Sequence, residues 1–184
     1  RMLASEWTGG NVDPAQYLWA PVYGYILREG LFGTQADLAH LSDKHLRAVS
    51  YSMVKAKRIP HIRGTEETAV ALAKFWGADP EHARRAGILH DCTKYWDLAQ
   101  QLACCEKYGV KLDALEQVSV KFLHAKTGAA LAKYVFGEPE DEVAAICCHT
   151  TGKPGMTVLD KVLYLADYME PSRDFDGVEE LRAL

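Results

Sequence analysis

Apolar residues recur at helical spacing over most of the chain. After a capping pair, Ser42-Asp43, the positions Leu46, Val49, Met53 and Val54 fall on one helical stripe. A second run opens on Pro60-His61 and carries Ile62, Thr65, Ala69, Leu72, Ala73 and Trp76 before Gly77 closes it. Asp79-Pro80 reads as the cap and first residue of a third helix through Ala83, Ala86, Leu89 and His90. Further helices are predicted over 97–108, 119–136, 140–149 and 157–167, with Gly109 and Gly137 as stops and Thr150-Thr-Gly-Lys-Pro-Gly155 as a loop. Sustained period-two alternation is missing, and no repeat of about 30–45 residues occurs. The pattern predicts an all-α protein, a compact helical bundle.

The segment up to Gly33 is different. Gly9-Gly10, Pro14, Pro21, Gly24, Gly30 and Gly33 interrupt any long element, although Asp13-Pro14 can start a short helix and Gly30 can end one. The organisation expected is a leader or linker over 1–40 and one domain over 41–184.

At 184 residues, 48% hydrophobic and 25% charged, the chain can fold around its own core. It carries 21 Lys and Arg against 25 Asp and Glu, a net charge of −4 with seven neutral His. That balance argues against a broad nucleic-acid footprint, which needs a basic surface. With no stretch near the roughly 20 apolar residues of a membrane span and no signal segment, a soluble protein without membrane partners is expected. The five cysteines include the adjacent pairs Cys104-Cys105 and Cys147-Cys148, unsuited to bridging, and no Cys-x-x-Cys. They read as small buried apolar side chains in a cytoplasmic protein.

Several polar residues sit where the periodicity expects core. His90-Asp91 lies inside Ala86-Gly-Ile-Leu-His-Asp-Cys-Thr-Lys94, and neighbours on a helix diverge by about 100°, so both can face one point only near a helix end or bend. His61 opens a helix on its inward side, His124 follows Phe122-Leu123, His149 follows Ile146-Cys-Cys148, and Asp167 interrupts Val162-Leu-Tyr-Leu-Ala166. One such group is a satisfied core polar residue; five elements doing the same point to a shared purpose. Neutral imidazoles with carboxylates suit a divalent transition ion. His40, His45 and His82 fall on polar stretches and read as solvent-exposed.

The order His61, His90-Asp91, His124, His149, Asp167 resembles the HD-domain metal-dependent phosphohydrolases. The strings His61-Ile-Arg-Gly-Thr-Glu-Glu-Thr-Ala69, Ala86–Lys94, Leu123-His124, His149-Thr-Thr-Gly-Lys-Pro-Gly155 and Ala166-Asp-Tyr-Met-Glu-Pro-Ser-Arg-Asp174 are similar to the YqeK family within it. The resemblance runs from about Met53 to Leu184. Cys92 and Thr93 stand where the family usually has other small residues, and the family normally adds a helix after Val178-Glu-Glu-Leu181, so the domain is expected to be truncated at its C-terminus. Pro21-Val-Tyr-Gly-Tyr-Ile-Leu-Arg-Glu-Gly-Leu-Phe32 is similar to the tail of bacterial nicotinate-nucleotide adenylyltransferases, which implies a covalently fused upstream domain.

The resemblance implies an HD-domain bundle that cleaves diadenosine tetraphosphate symmetrically into two ADP, by attack of metal-bound water on an inner phosphate. It implies that His61, His90, Asp91 and Asp167 hold a metal, iron in preference to manganese. His124 and His149 either build a second metal site with Asp91 bridging or contact substrate phosphate, the reading preferred here because only one further carboxylate is at hand to neutralise a second dication. Asp91, Lys94, His124 and His149 are then the catalytic set. Lys94, Arg58 and Arg173 would neutralise or clamp phosphate, Tyr168 would stack on adenine or pack against the ribose, with plain packing beside the helix as the alternative, and Lys153 with its glycine loop would line the site. A homodimer is left open. The rivals are a mixed-valent di-iron oxygenase with the same ligand order, a nucleotidase or a hydrolase of the stringent-response nucleotide, and a nucleotide-sensing module without turnover.

Overall fold

The computed structural model describes residues 13–183. The Gly9-Gly10 break and Leu184 lie outside the described residues. Among those described, all regular structure is helical, as the apolar spacing predicts. The α-helices are α1 (Ala20–Glu29), α2 (Asp43–Ser52), α3 (Ile59–Trp76), α4 (Pro80–Leu89), α5 (Leu98–Tyr108), α6 (Val120–Tyr134), α7 (Glu140–Cys148), α8 (Val158–Met169) and α9 (Val178–Arg182).

The punctuation is local chemistry. The Asp79 carboxylate accepts from the Glu81 N–H at 2.8 Å and starts α4 at Pro80. Asp97 with Gln100, and Thr157 with Asp160, form reciprocal capping boxes on α5 and α8. Most boundaries shift by a residue or two from the expected ones, and two of the shifts matter here. α2 stops at Ser52, with Met53 as its C-cap and Val54 outside. α8 runs on to Met169, so Asp167 lies within a helix rather than at its end.

α3 packs against α4 and α8; α4 also meets α7 and α8, α6 packs on α5 and α7, and α7 on α8. Fully buried Leu46, Val49, Ile88, Leu89, Ile146 and Leu163 fill the space between them, each worth about 1.5–3 kcal/mol of burial. The α1–α2 pair joins this core through Tyr23, Leu27 and Leu41. Its contact is backbone against side-chain-free backbone: a Cβ on Gly24 would sit 1.8 Å from the Ala48 carbonyl oxygen. Arg85 ties the segment before α2 to the rest, donating to the Leu41 carbonyl at 3.1 Å, to Asp43 at 3.1 Å and to both oxygens of Glu138 at 2.6 and 2.7 Å.

The cysteines are free, all buried except the half-buried Cys147. Burial pushes the Cys104 and Cys148 thiols up to about 11, so they behave as inert apolar groups. Of the histidines expected on the surface, His40 is exposed, but His45 and His82 are half-buried. The His45 ring packs edge-on against Tyr23, and His82 Nδ1 lies 2.6 Å from Asp141 Oδ2, so each polar stretch folds over a neighbour. Among the described residues no helix is long and apolar enough to cross a membrane.

Candidate metal centre

Five helices bring their core polar residues to one place. His61 is the third residue of α3. His90 is the C-cap of α4, and the chain then turns through Asp91, with the Lys94 N–H donating to the Asp91 carbonyl at 2.9 Å. This break lets adjacent side chains face one centre, as the sequence requires. His124 projects from α6, which approaches closely because a Cβ on Gly128 would lie only 3.4 Å from the His90 carbonyl oxygen. His149 caps α7, and Asp167 comes from α8. His61, His90, Asp91, His124 and His149 are all at most 5% exposed.

The atoms able to ligate form two buried groups, His61 with His90 and Asp167, and Asp91 with His124 and His149, each within 4.8 Å. In the first, His61 Nε2 is 3.2 Å from His90 Nε2 and 3.0 Å from Asp167 Oδ1, while His90 Nε2 is 3.8 Å from that oxygen. In the second, Asp91 Oδ1 is 3.3 Å from His124 Nε2 and 3.8 Å from His149 Nε2. Bonds of ~2.1 Å to one cation place ligand atoms roughly 3–4.3 Å apart, so both groups have coordinating dimensions. Asp91 joins them: its other oxygen, Oδ2, is 3.6 Å from His90 Nε2 and 3.8 Å from His61 Nε2. The ligands expected around a single ion thus converge, and His124 and His149 are drawn to Asp91 as a second group.

The outer hydrogen bonds fix which ring nitrogen faces inward. Nδ1–H of His90 donates to the Gly87 carbonyl at 2.7 Å, that of His124 to Lys121 at 2.9 Å, and that of His149 to Ile146 at 2.7 Å. A carbonyl only accepts, so these Nδ1 atoms carry protons and Nε2 points to the centre, as ligating histidines require. His61 Nδ1 instead meets Glu170 Oε1 at 2.9 Å. Burial lowers the His90 pKa to about 3, and burial with the nearby Lys94 charge lowers that of His124, so both rings are neutral donors of a lone pair. Burial opposes the charges of Asp91 and Asp167, but the surrounding imidazoles outweigh it and keep both carboxyls well below their ordinary range. Asp91 Oδ1 and His149 Nε2 are buried with no hydrogen-bond partner. Such atoms are costly unless a water, another donor or a cation takes their lone pairs, and a cation would satisfy both groups at once. The residues fit a divalent ion in each group.

Three cations rim the centre. Arg58 donates from Nε to Asp91 Oδ2 at 2.6 Å, and its Nη2 pairs with the same oxygen. Arg173 donates to Asp167 Oδ1 at 2.5 Å and to the Asp167 carbonyl at 2.7 Å. Lys94 Nζ is 3.0 Å from His124 Nε2 and 3.6 Å from Asp91 Oδ1. The two arginines, expected to clamp phosphate, are therefore engaged with the carboxylates themselves. Tyr168 is half exposed, its ring tilted on Phe175 at 4.8 Å. Lys153 pairs with the buried Asp160 at 2.9 Å.

Two features had no signal in the periodicity. Beneath His124, the Thr93 hydroxyl donates to the His124 carbonyl at 2.9 Å, and Thr127 Oγ1 lies 2.8 Å from both Thr93 Oγ1 and Gln101 Oε1. Glu170, fully buried just past α8, accepts from Ser172 as well as His61; burial opposes its charge, but these bonds hold its carboxyl below the ordinary value.

The HD domain pattern matches residues 58–172, a span that contains His61, His90, Asp91, His124, His149 and Asp167. This chain belongs to the HD domain family. A symmetrical bis(5'-nucleosyl)-tetraphosphatase of Halalkalibacterium halodurans is 41% identical over 126 residues, 68% of this chain and 67% of that protein. The protein of the same name from Bacillus subtilis is 39% identical over 128 residues, 69% of this chain and 68% of its own. A Mycoplasma pneumoniae protein named for both nicotinate-nucleotide adenylyltransferase and Ap4A hydrolase is 30% identical over 135 residues, 73% of this chain but 38% of its own length. A crystal structure of an HD superfamily hydrolase of Clostridium acetobutylicum, described as involved in NAD metabolism, superposes with a TM-score of 0.74 at 39% identity, covering 78% of this chain and 76% of that one.

Proposed function

We propose that this HD domain protein hydrolyses diadenosine tetraphosphate symmetrically into two ADP. The observation that carries the reading is Asp91, whose two oxygens face two groups of inward-pointing imidazoles in a chain about 40% identical to symmetrical tetraphosphatases. His61, His90 and Asp167 would hold one divalent ion, and His124 and His149 a second, with Asp91 between them; iron is the preferred metal and manganese the alternative. A bound divalent ion supplies Lewis acidity, lowering the pKa of water and withdrawing charge from a phosphate oxygen.

The chain's own residues do the rest. Asp91, Asp167 and Glu170 face Arg58, Lys94 and Arg173, so the protein side is near electrical balance. Added dications are then offset by the tetraphosphate itself, which favours a polyanionic substrate. Lys94, at the mouth of the second group, is placed to neutralise a phosphate oxygen. Arg58 and Arg173 hold the two ligand carboxylates and keep free guanidinium edges for phosphate. Tyr168 offers a half-exposed ring for a base. Water attacks one inner phosphorus, the bridge between the two inner phosphates breaks, and ADP leaves with little need for a proton. The leader 1–40 we read as the end of an adenylyltransferase domain fused upstream, in line with the Mycoplasma relative. Five free thiols fit a cytoplasmic setting.

The test is product analysis by anion-exchange chromatography with ferrous or manganous ion. ADP alone is expected; a pair of AMP and ATP would overturn the symmetrical assignment.

A further inference from the structure

Of the four histidines at the centre, His61 stands apart in how its ring is held. The other three give Nδ1–H to a carbonyl three residues back, an arrangement their own helix supplies. His61 takes its partner from a carboxylate 109 residues further along the chain. We infer that Glu170 is the positioning residue for His61, fixing the ring so that Nε2 serves as the ligand atom and making that atom more electron-rich. The inference rests on the proposed role of His61 as a metal ligand.

Three arrangements converge on this one contact. Glu170 Oε1 is 2.9 Å from His61 Nδ1 and 2.5 Å from the Ser172 hydroxyl, and Oε2 accepts the Ser172 N–H at 2.7 Å. The carboxylate reaches His61 across Gly64, where a Cβ would lie 2.3 Å from Oε2. One turn beyond His61, any larger residue would have to displace it. The loop that carries Glu170 is pinned from α9: Arg182 donates to the carbonyls of Met169 at 2.9 Å, Glu170 at 2.7 Å and Arg173 at 2.9 Å. A fully buried carboxylate with this support is more than a loop staple, because a staple needs only the Ser172 bonds. A charged acceptor behind a ligating imidazole sets its orientation and raises its basicity.

The test uses the full chain, freed of metal and titrated with cobalt(II) against a chelator, with imidazole nitrogen NMR of the same samples. Glu170→Gln should weaken cobalt binding about 10- to 100-fold, the usual effect of losing such a partner, and disturb the His61 nitrogen pattern. Gly64→Ala keeps the carboxylate but displaces it, so it should weaken binding in the same direction, and it carries the test if Glu170→Gln does not fold. Ser172→Ala should leave both readouts close to wild type. Folded Glu170→Gln or Gly64→Ala protein with wild-type cobalt affinity and an unmoved His61 pattern would overturn the inference. So would a Ser172→Ala loss as large as that of Glu170→Gln, which would mean that Glu170 only holds the loop. Wild-type cobalt affinity in His61→Ala would instead overturn the ligand role of His61, a separate failure.

Discussion

His61 Nε2 faces His90 Nε2 at 3.2 Å, with Asp167 Oδ1 only 3.0 Å from the former. His90 keeps its proton on Nδ1, so its Nε2 offers a lone pair. Two ring nitrogens and a carboxylate oxygen at these separations suit one divalent cation, whose bonds set ligand atoms at such spacings. Protons compete with a metal ion for nitrogen and carboxylate lone pairs, so affinity should fall in acid. Titration of metal-free protein with manganese should therefore give a weaker Kd at about pH 5 than at about pH 7.5. Equal affinity at the two pH values would contradict a ligand role for these groups.

Lys94 Nζ contacts His124 Nε2, the atom that would ligate an ion in the second group. Lys94→Ala should leave total metal content the same or higher while kcat/KM for the dinucleotide falls by roughly 10- to 1,000-fold, about 1.4–4 kcal/mol of lost transition-state stabilisation. Elemental analysis beside steady-state kinetics checks both halves. Loss of metal in this variant would show that Lys94 supports the ligands rather than the phosphate.

Much of this centre was legible in the chain itself. His61, His90, Asp91, His124, His149 and Asp167 each interrupt an apolar stripe, and a buried polar group on a helix must have a partner. The His90-Asp91 pair also required a helix end, which α4 supplies. Glu170 was not legible, since it follows the last turn of α8 and no periodicity says where a residue after a helix will point. Nor could the spacing show that Arg58 and Arg173 reach the ligand carboxylates, because long side chains choose partners only once helices are docked. The bundle was readable from its caps and stops, whereas the docking of α1 on α2 depends on Gly24, a residue that locally reads as a breaker.

Glu142 offers a prediction independent of metal. It is 1% exposed, and burial with the neighbouring Glu138 pushes its carboxyl up to about 10, although Arg85, which pairs with Glu138 at 2.6 Å, works the other way. A carboxyl raised in the folded state contributes fully below its unfolded pKa, and that contribution is lost as pH rises toward the folded value. Wild-type stability should therefore decline from about pH 4.5 upward through this group. Glu142→Gln, always neutral, should match wild type near pH 4.5 and exceed it at pH 8 by roughly 2–5 kcal/mol, the upper figure being full linkage, or about 4–20 °C in Tm. Parallel Tm curves over that range would show that Glu142 is not the protonated member of the pair.

Arg182 binds three backbone carbonyls around the 169–173 turn. Arg182→Ala should lower stability by about 2 kcal/mol, since charged donors contribute about 1.5–3 kcal/mol each when buried and this side chain is partly exposed. Calorimetry should show a Tm lower by roughly 4–8 °C. An unchanged Tm would mean that solvent replaces these bonds at no cost.

Asp91 is the residue whose two oxygens face both groups of imidazoles. The decisive measurement is metal content by elemental analysis of freshly purified Asp91→Asn protein beside wild type, with the diadenosine tetraphosphate product assay on the same samples. Wild type should carry tightly bound iron or manganese and release ADP alone, and the variant should lose both metal and turnover while keeping its helical circular dichroism. Wild-type metal content together with undiminished ADP release from the variant would contradict the account.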